Sequence, residues 1–140
     1  MSLRIAILVL VALAAGCAAR SKEPPPKPFV GTKWVVQLQL PLQGEQPWVR
    51  FGDGRMEGYG GCNRISSRYG EDMVGARAIV IYRIDRGVRG CDSGNQLAEA
   101  RLLEVLQSVS SYNIVIDELT MSGSGGVLRF KSDPPAEVPK

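Results

Sequence analysis

The chain has no histidine among its 140 residues, and that absence removes several chemistries at once. A Ser-His or Cys-His nucleophile cannot be assembled, and no Gly-x-Ser-x-Gly elbow is present. A zinc site would need more Cys or His ligands than the three cysteines offer, so neither a metal nor another cofactor is expected. Cys17, Cys62 and Cys91 contain no C-x-x-C spacing. Aromatic residues make up only 6%, and Lys and Arg are scattered among carboxylates. There is therefore no basic stripe and no aromatic platform for a nucleic acid. Of the 17 basic residues, Arg4 would leave with a signal peptide; the other 16 against 14 acidic ones give a mature formal charge of +2, a near balance. Long apolar runs are missing too. The longest reaches from Leu3 or Ile5 to Ala19, short of the roughly twenty residues that span a bilayer.

That short run is itself informative. Arg4 supplies a positive start, Ile5 to Leu13 an apolar stretch, and Ala14-Ala15-Gly16 the small residues before Cys17. The order is that of a lipoprotein signal, with Leu13 one place farther from the cysteine than usual; an ordinary cleaved signal with a chance cysteine is the other reading. Acylation of Cys17 would anchor the chain in a membrane, since each buried methylene contributes about 0.8 kcal/mol and more than one acyl chain makes attachment lasting. Ala18, not Asp, follows the cysteine, which suits sorting to the outer membrane, facing the periplasm or the cell surface. The expected organisation is a signal peptide over 1–16, a lipid-anchored spacer over 17–28, a domain over 29–131 and a disordered tail over 132–140. Pro-rich composition favours an extended spacer at Ala18 to Pro28 and argues against packing of Ser132 to Lys140. What remains is one domain, expected to be a monomer.

Within the domain the period is mostly two. Trp34, Val36, Leu38 and Leu40 share one face of a strand, and Gln37 and Gln39 the other. Trp48 to Phe51 and Arg55 to Tyr59 flank Gly52-Asp53-Gly54, where Asp-Gly signals a hairpin. Asn63 to Tyr69 and the β-branched stretch Ala76 to Asp85 read as further strands. The period then changes: after Asp92-Ser93, good N-caps, Leu97, Ala100, Leu103 and Leu106, with Leu102 and Val109 alongside, mark an amphipathic helix to about Ser110. Tyr112 to Ile116, Leu119 to Ser122 and Val127 to Lys131 follow as strands, with Ser122-Gly123-Ser124-Gly125-Gly126 as the last turn. The fold class is mainly β: a small curled antiparallel sheet or lipocalin-like barrel of seven or eight strands, one helix covering an opening or edge.

Once Cys17 is acylated, Cys62 and Cys91 are an even pair in an oxidising compartment, so a disulfide is expected, worth roughly 3 to 4 kcal/mol on the chain-entropy model; two free or redox-active thiols are the competing reading. Asp53 with Glu57, or Glu71 with Asp72, could form an acid and base pair, but Asp53 sits in a turn and Glu71-Asp72 in a polar loop, where solvated carboxylates are the rule. No catalytic residue is assigned. Gly60 and Gly61 suit positive φ at a tight corner, with Asn63 bonding nearby backbone. Arg83, Arg86 and Arg89 could meet an anion such as a lipid headgroup or a partner protein, or form a solvated loop paired with Asp85 and Asp92.

Gly58-Tyr59-Gly60-Gly61-Cys62-Asn63-Arg64, then Cys91, then Glu99 with Leu102, Leu103, Leu106, Val109 and Tyr112, and finally Leu119-Thr120-Met121 before Val127 to Phe130 resemble a META domain of the HslJ type. The resemblance spans about Thr32 to Lys131, with Trp34 as the opening tryptophan, and Gly60, Gly61, Cys62 and Asn63 as its motif. Gly87-Val88-Arg89-Gly90 stands where relatives have a Thr-Arg-Met-Ala-like run. The resemblance implies a compact lipocalin-like barrel, often secreted or lipid-anchored, with links to heat and antibiotic stress and to secretion or motility. The expected role is therefore non-catalytic: binding in envelope maintenance or stress tolerance. Two others stay open, a pilot-like lipoprotein escorting a secretion or outer-membrane component, and an inhibitor or carrier of a small apolar ligand. A deep cavity would favour the carrier and an unpaired edge the pilot, whereas a closed, filled barrel would count against both.

Overall fold

Alternation sets the strands, and long-range pairing bends them into a ring. The computed structural model describes residues 23–39, 42–72 and 77–137; the expected signal peptide over 1–16, the first half of the spacer with Cys17, and the strand residues Leu40 and Ala76 lie outside them. The strands are β1 (Lys33–Val36), β2 (Trp48–Gly52), β3 (Arg55–Tyr59), β4 (Arg64–Asp72), β5 (Ala78–Ile81), β6 (Asp85–Arg86), β7 (Val109–Val115), β8 (Glu118–Gly123) and β9 (Gly126–Asp133), with helix α1 (Ser93–Ser108) between β6 and β7. Antiparallel neighbours run β3-β2-β1-β9-β8-β7-β5-β4, and pairing of β3 with β4 closes the ring. The result is an eight-stranded barrel. β6 extends the line of β5 along β4: Tyr69 pairs with Ile81 but Ser66 with Asp85, a one-residue bulge.

Local chemistry accounts for the joints. Asp53 and Gly54, both at positive φ, make the two-residue turn between β2 and β3, the primed turn whose twist matches the strands. Inward positions fill the barrel: Trp34, Val49, Phe51, Met56, Leu119, Met121 and Phe130 are at 0% exposure. Helix α1 packs on β5, β8 and β9 at one end, adding Leu102, Val105 and Leu106 to the same core. At the other end Phe29 stacks between Phe51 and Tyr112, with ring centroids 4.3 and 4.2 Å away. Among the described residues no helix is long and apolar enough to cross a membrane.

Three details depart from expectation. β9 continues through Ser132 to Asp133, beyond the expected boundary at Lys131. Ser132 is a small polar residue at an inward position, buried opposite Trp34, and Asp133 pairs with Lys33 at 3.4 Å. Lys27, placed in the spacer, already donates its backbone N–H to the Ile116 carbonyl on the barrel. The buried stripe of α1 is Asn95, Glu99, Leu102, Val105 and Leu106, while Leu97 is 66% exposed. The helix is rotated from its apolar reading because its first two turns bury polar side chains against the corner described next.

Candidate functional site

The corner between β3 and β4 is Gly60-Gly61-Cys62-Asn63. Gly61 sits at φ +106°, where a side chain would be strained. Gly60 does not need positive φ; a Cβ there would come within 2.6 Å of Glu99 Oε2, so close approach excludes a side chain. Into the space left by that glycine comes the Glu99 carboxylate, 2% exposed. Its Oε2 accepts from the backbone N–H of Cys62 (3.2 Å) and of Asn63 (2.6 Å). Its Oε1 accepts from Asn63 Nδ2 (3.0 Å) and Arg86 Nη1 (3.2 Å). A carboxylate offers about four lone-pair sites, so this one is saturated. One turn earlier, Asn95 Nδ2 donates to the carbonyls of Gly61 and Gln43, and Asp92 caps the helix by accepting from the Asn95 N–H.

The second cysteine enters the same assembly. Cys62 and Cys91 are bonded, with Cα atoms 5.8 Å apart across 29 residues. Asn63 Oδ1 accepts from the Arg89 N–H at 2.7 Å, so the motif asparagine fastens the loop that the disulfide closes. Chemically the arrangement is a clamp: a carboxylate, two amides and a disulfide join the strand corner, the β6–α1 loop and the helix.

Outside the corner lies a charged wall formed by outward residues of β1 to β4. Trp48 faces outward yet is only 7% exposed, because Lys33, Arg50 and Arg64 lie 5.3, 5.6 and 5.6 Å from its ring and its Nε1 donates to Glu45. Such cation–π contacts contribute about 0.5 to 1 kcal/mol each at exposed sites. Shallow depressions border this wall. One of about 360 Å³ is lined by Trp48, Arg64, Ser66, Asp85 and Arg86. Another of about 530 Å³ lies beside the disulfide, among Glu45, Tyr59, Cys62, Arg64 and Arg89.

The structure does not gather Arg83, Arg86 and Arg89. Arg86 is taken up by Glu99, Arg89 borders the disulfide depression, and Arg83 lines a third hollow with Arg55 and Arg68. Arg86 lies on β6 opposite the buried Ile65, whereas Arg83 precedes that strand and Arg89 follows it. Of the carboxylate pairs, Glu57 meets Arg50 at 3.7 Å, and Glu71 lies on β4, not in a loop, accepting from Tyr112 Oη at 2.7 Å. Glu99 enters the sequence reading only through the resemblance, and Asn95 not at all. The 95-99-102-106 spacing of one helical stripe was the available signal, masked because half of it is polar.

A closed antiparallel barrel, plugged by one helix and stapled at a glycine corner, defines a class of small β-domain in which the motif residues build the scaffold. The META domain family model matches residues 27–135, and the chain belongs to that family. Two solved structures share the fold. An NMR structure of a protein from Burkholderia xenovorans has a TM-score of 0.61 and 16% identity, covering 81% of this chain and 95% of that one. A second NMR structure has a TM-score of 0.57 and 15% identity, covering 71% of this chain and 87% of that one. No curated protein matches the chain.

Proposed function

We propose that this META-family protein is a lipid-anchored component of the outer membrane, acting in envelope maintenance or stress tolerance by binding rather than by catalysis, and that it binds with its outer wall. The observation that carries this reading is the filled interior: the inward side chains from Trp34 to Phe130 form one core with the helix residues Leu102, Val105 and Leu106. An apolar guest would have to displace side chains packed at the density of a protein interior, so the carrier reading loses its support. The single buried carboxylate among the described residues, Glu99, already accepts four bonds, which favours a scaffolding role over acid or base work. The pilot-like reading loses support as well: the ring is closed, and where β5 meets β7 only through Ala78 and Ser111 the helix packs on β5, Gln107 Nε2 donating to the Tyr82 carbonyl.

The anchor rests on the sequence around Cys17 and is tested there. Cys17→Ser replaces the thiol that would carry the lipid by a hydroxyl. The variant is expected in the soluble fraction or as unprocessed precursor, while the wild type incorporates labelled palmitate and sediments with membranes. Equal membrane association of both chains, with no palmitate in the wild type, would overturn the anchor.

A further inference from the structure

We propose that the hollow between Arg55, Arg68 and Arg83 on the outer wall is a binding site for a phosphate-bearing anion. The register of β3 on β4 sets Arg55 directly opposite Arg68, both outward, since their neighbours Met56 and Ser67 point inward. Like charges directly opposite on a sheet destabilise it, so the pairing is one that a bound anion would relieve. The bulge between β5 and β6 brings the third guanidinium. Tyr82 N–H still bonds to the Arg68 carbonyl at 3.0 Å, and the buried Ser67 hydroxyl lies 2.8 Å from the Tyr82 carbonyl and 3.1 Å from that of Arg83, fixing the bulge in place.

The hollow encloses about 250 Å³ and is also lined by Ser66, Tyr82 and Asp85. Among the described residues, none of the three arginines has a carboxylate within ion-pair distance, whereas Arg50, Arg86 and Arg101 each have one. Asp85 lines the hollow without pairing, so positive charge remains in excess. Three forked guanidiniums beside the exposed Ser66 suit a tetrahedral oxyanion presenting several oxygens better than a single carboxylate.

Position bears on the source of the phosphate. Arg55 follows the β2–β3 turn, and the chain preceding the barrel arrives at that same end, where Val30 bridges to Phe51 and Phe29 seals the core. If the anchor proposed above is present, this end is nearest the bilayer, which favours an anionic headgroup over a free phosphate; the site itself does not depend on the anchor.

Modification of arginines by phenylglyoxal in the full chain, mapped by mass spectrometry, tests the site, with Arg101 and Arg129 as internal controls. With inorganic phosphate as probe, modification of Arg55, Arg68 and Arg83 should fall along a binding curve, by about tenfold at ten times the dissociation constant, with the controls unchanged. Phosphate should also raise the thermal midpoint of the wild type and not that of Arg68→Gln, which relieves the opposed charges and should fold at least as stably. Further protection by phosphatidylglycerol vesicles but not phosphatidylcholine vesicles identifies a headgroup; protection by phosphate alone identifies a soluble ligand. Modification of Arg55, Arg68 and Arg83 that neither phosphate nor phosphatidylglycerol vesicles reduce relative to the controls, or a phosphate response retained in Arg68→Gln, overturns the proposal. The phosphate arm is independent of palmitate labelling, so the site and the anchor fail separately.

Discussion

A carboxylate that accepts four hydrogen bonds cannot become an amide without turning acceptors into donors. Glu99→Gln would aim an NH₂ group at two of the donors now satisfied, either the backbone N–H groups of Cys62 and Asn63 or the side chains of Asn63 and Arg86. Leaving buried donors unpaired costs about 1 to 3 kcal/mol each, while Arg86, more than half exposed, can turn to water and adds little to the loss. Loss of roughly 2 to 4 kcal/mol is expected for Glu99→Gln and more for Glu99→Ala, read as a lower urea midpoint at unchanged slope. A Gln variant within 0.5 kcal/mol of wild type, about the spread of an ordinary surface substitution, would mean that the carboxylate is not what holds the corner. At this scale the sequence is only partly legible. Gly61 and Asn63 behave as turn chemistry leads one to expect, because their roles are local. Glu99 does not announce itself, because its partners lie 36 and 37 residues away in the chain.

Among the elements, the hairpin of β2 and β3 and the N-cap of α1 lie where the sequence places them, since an Asp-Gly turn and an Asp cap act within four residues. The helix face is a different matter. Leu97, Ala100 and Leu103 suggest one stripe, yet the buried stripe begins with Asn95 and Glu99, because satisfying the corner's N–H groups and carbonyls outweighs burying one more leucine. The disulfide then ties helix entry to the corner. Closing a 29-residue loop contributes roughly 3 to 4 kcal/mol, and in a domain of this size that is about 10 °C or more of thermal midpoint. Reduction should lower the midpoint by that amount while far-ultraviolet circular dichroism at low temperature keeps its sheet signature, since the ring of strands closes without the bond. A midpoint insensitive to reductant, with both thiols recovered alkylatable, would show that the clamp stands on Glu99 and Asn95 alone.

For the whole molecule, alternation showed which residues turn inward but not that β1 would meet β9 and β3 meet β4, the pairings that separate a barrel from an open curled sheet. Closure is a long-range event with no local signature, as is the inclusion of Ser132 in the last strand. The two ends of the barrel are sealed by different chemistry: amides and a carboxylate under the helix, and aromatic rings around Phe29 at the other end. The aromatic end links stability to pH. Burial first, then the hydrogen bond to Glu71, pushes the Tyr112 hydroxyl up to about 12 from its ordinary value of 10. Burial, with Glu71 and Asp53 nearby, raises Tyr69 as well. A raised folded-state value means that the native chain keeps its proton where the unfolded chain has lost it. The stabilisation is therefore fully present below pH 10 and is lost as pH rises from 10 toward 12. Tyr112→Phe has no proton to lose. Its urea midpoint should start slightly below wild type near neutrality, by about 1 kcal/mol or less for one partly exposed hydrogen bond, and should decline less steeply across the alkaline limb, where Tyr69 alone remains of the pair. Parallel curves for the two chains between pH 10 and 12 would show that Tyr112 ionises as readily in the folded barrel as in the unfolded chain, and that the aromatic end is not the closed seal its packing implies.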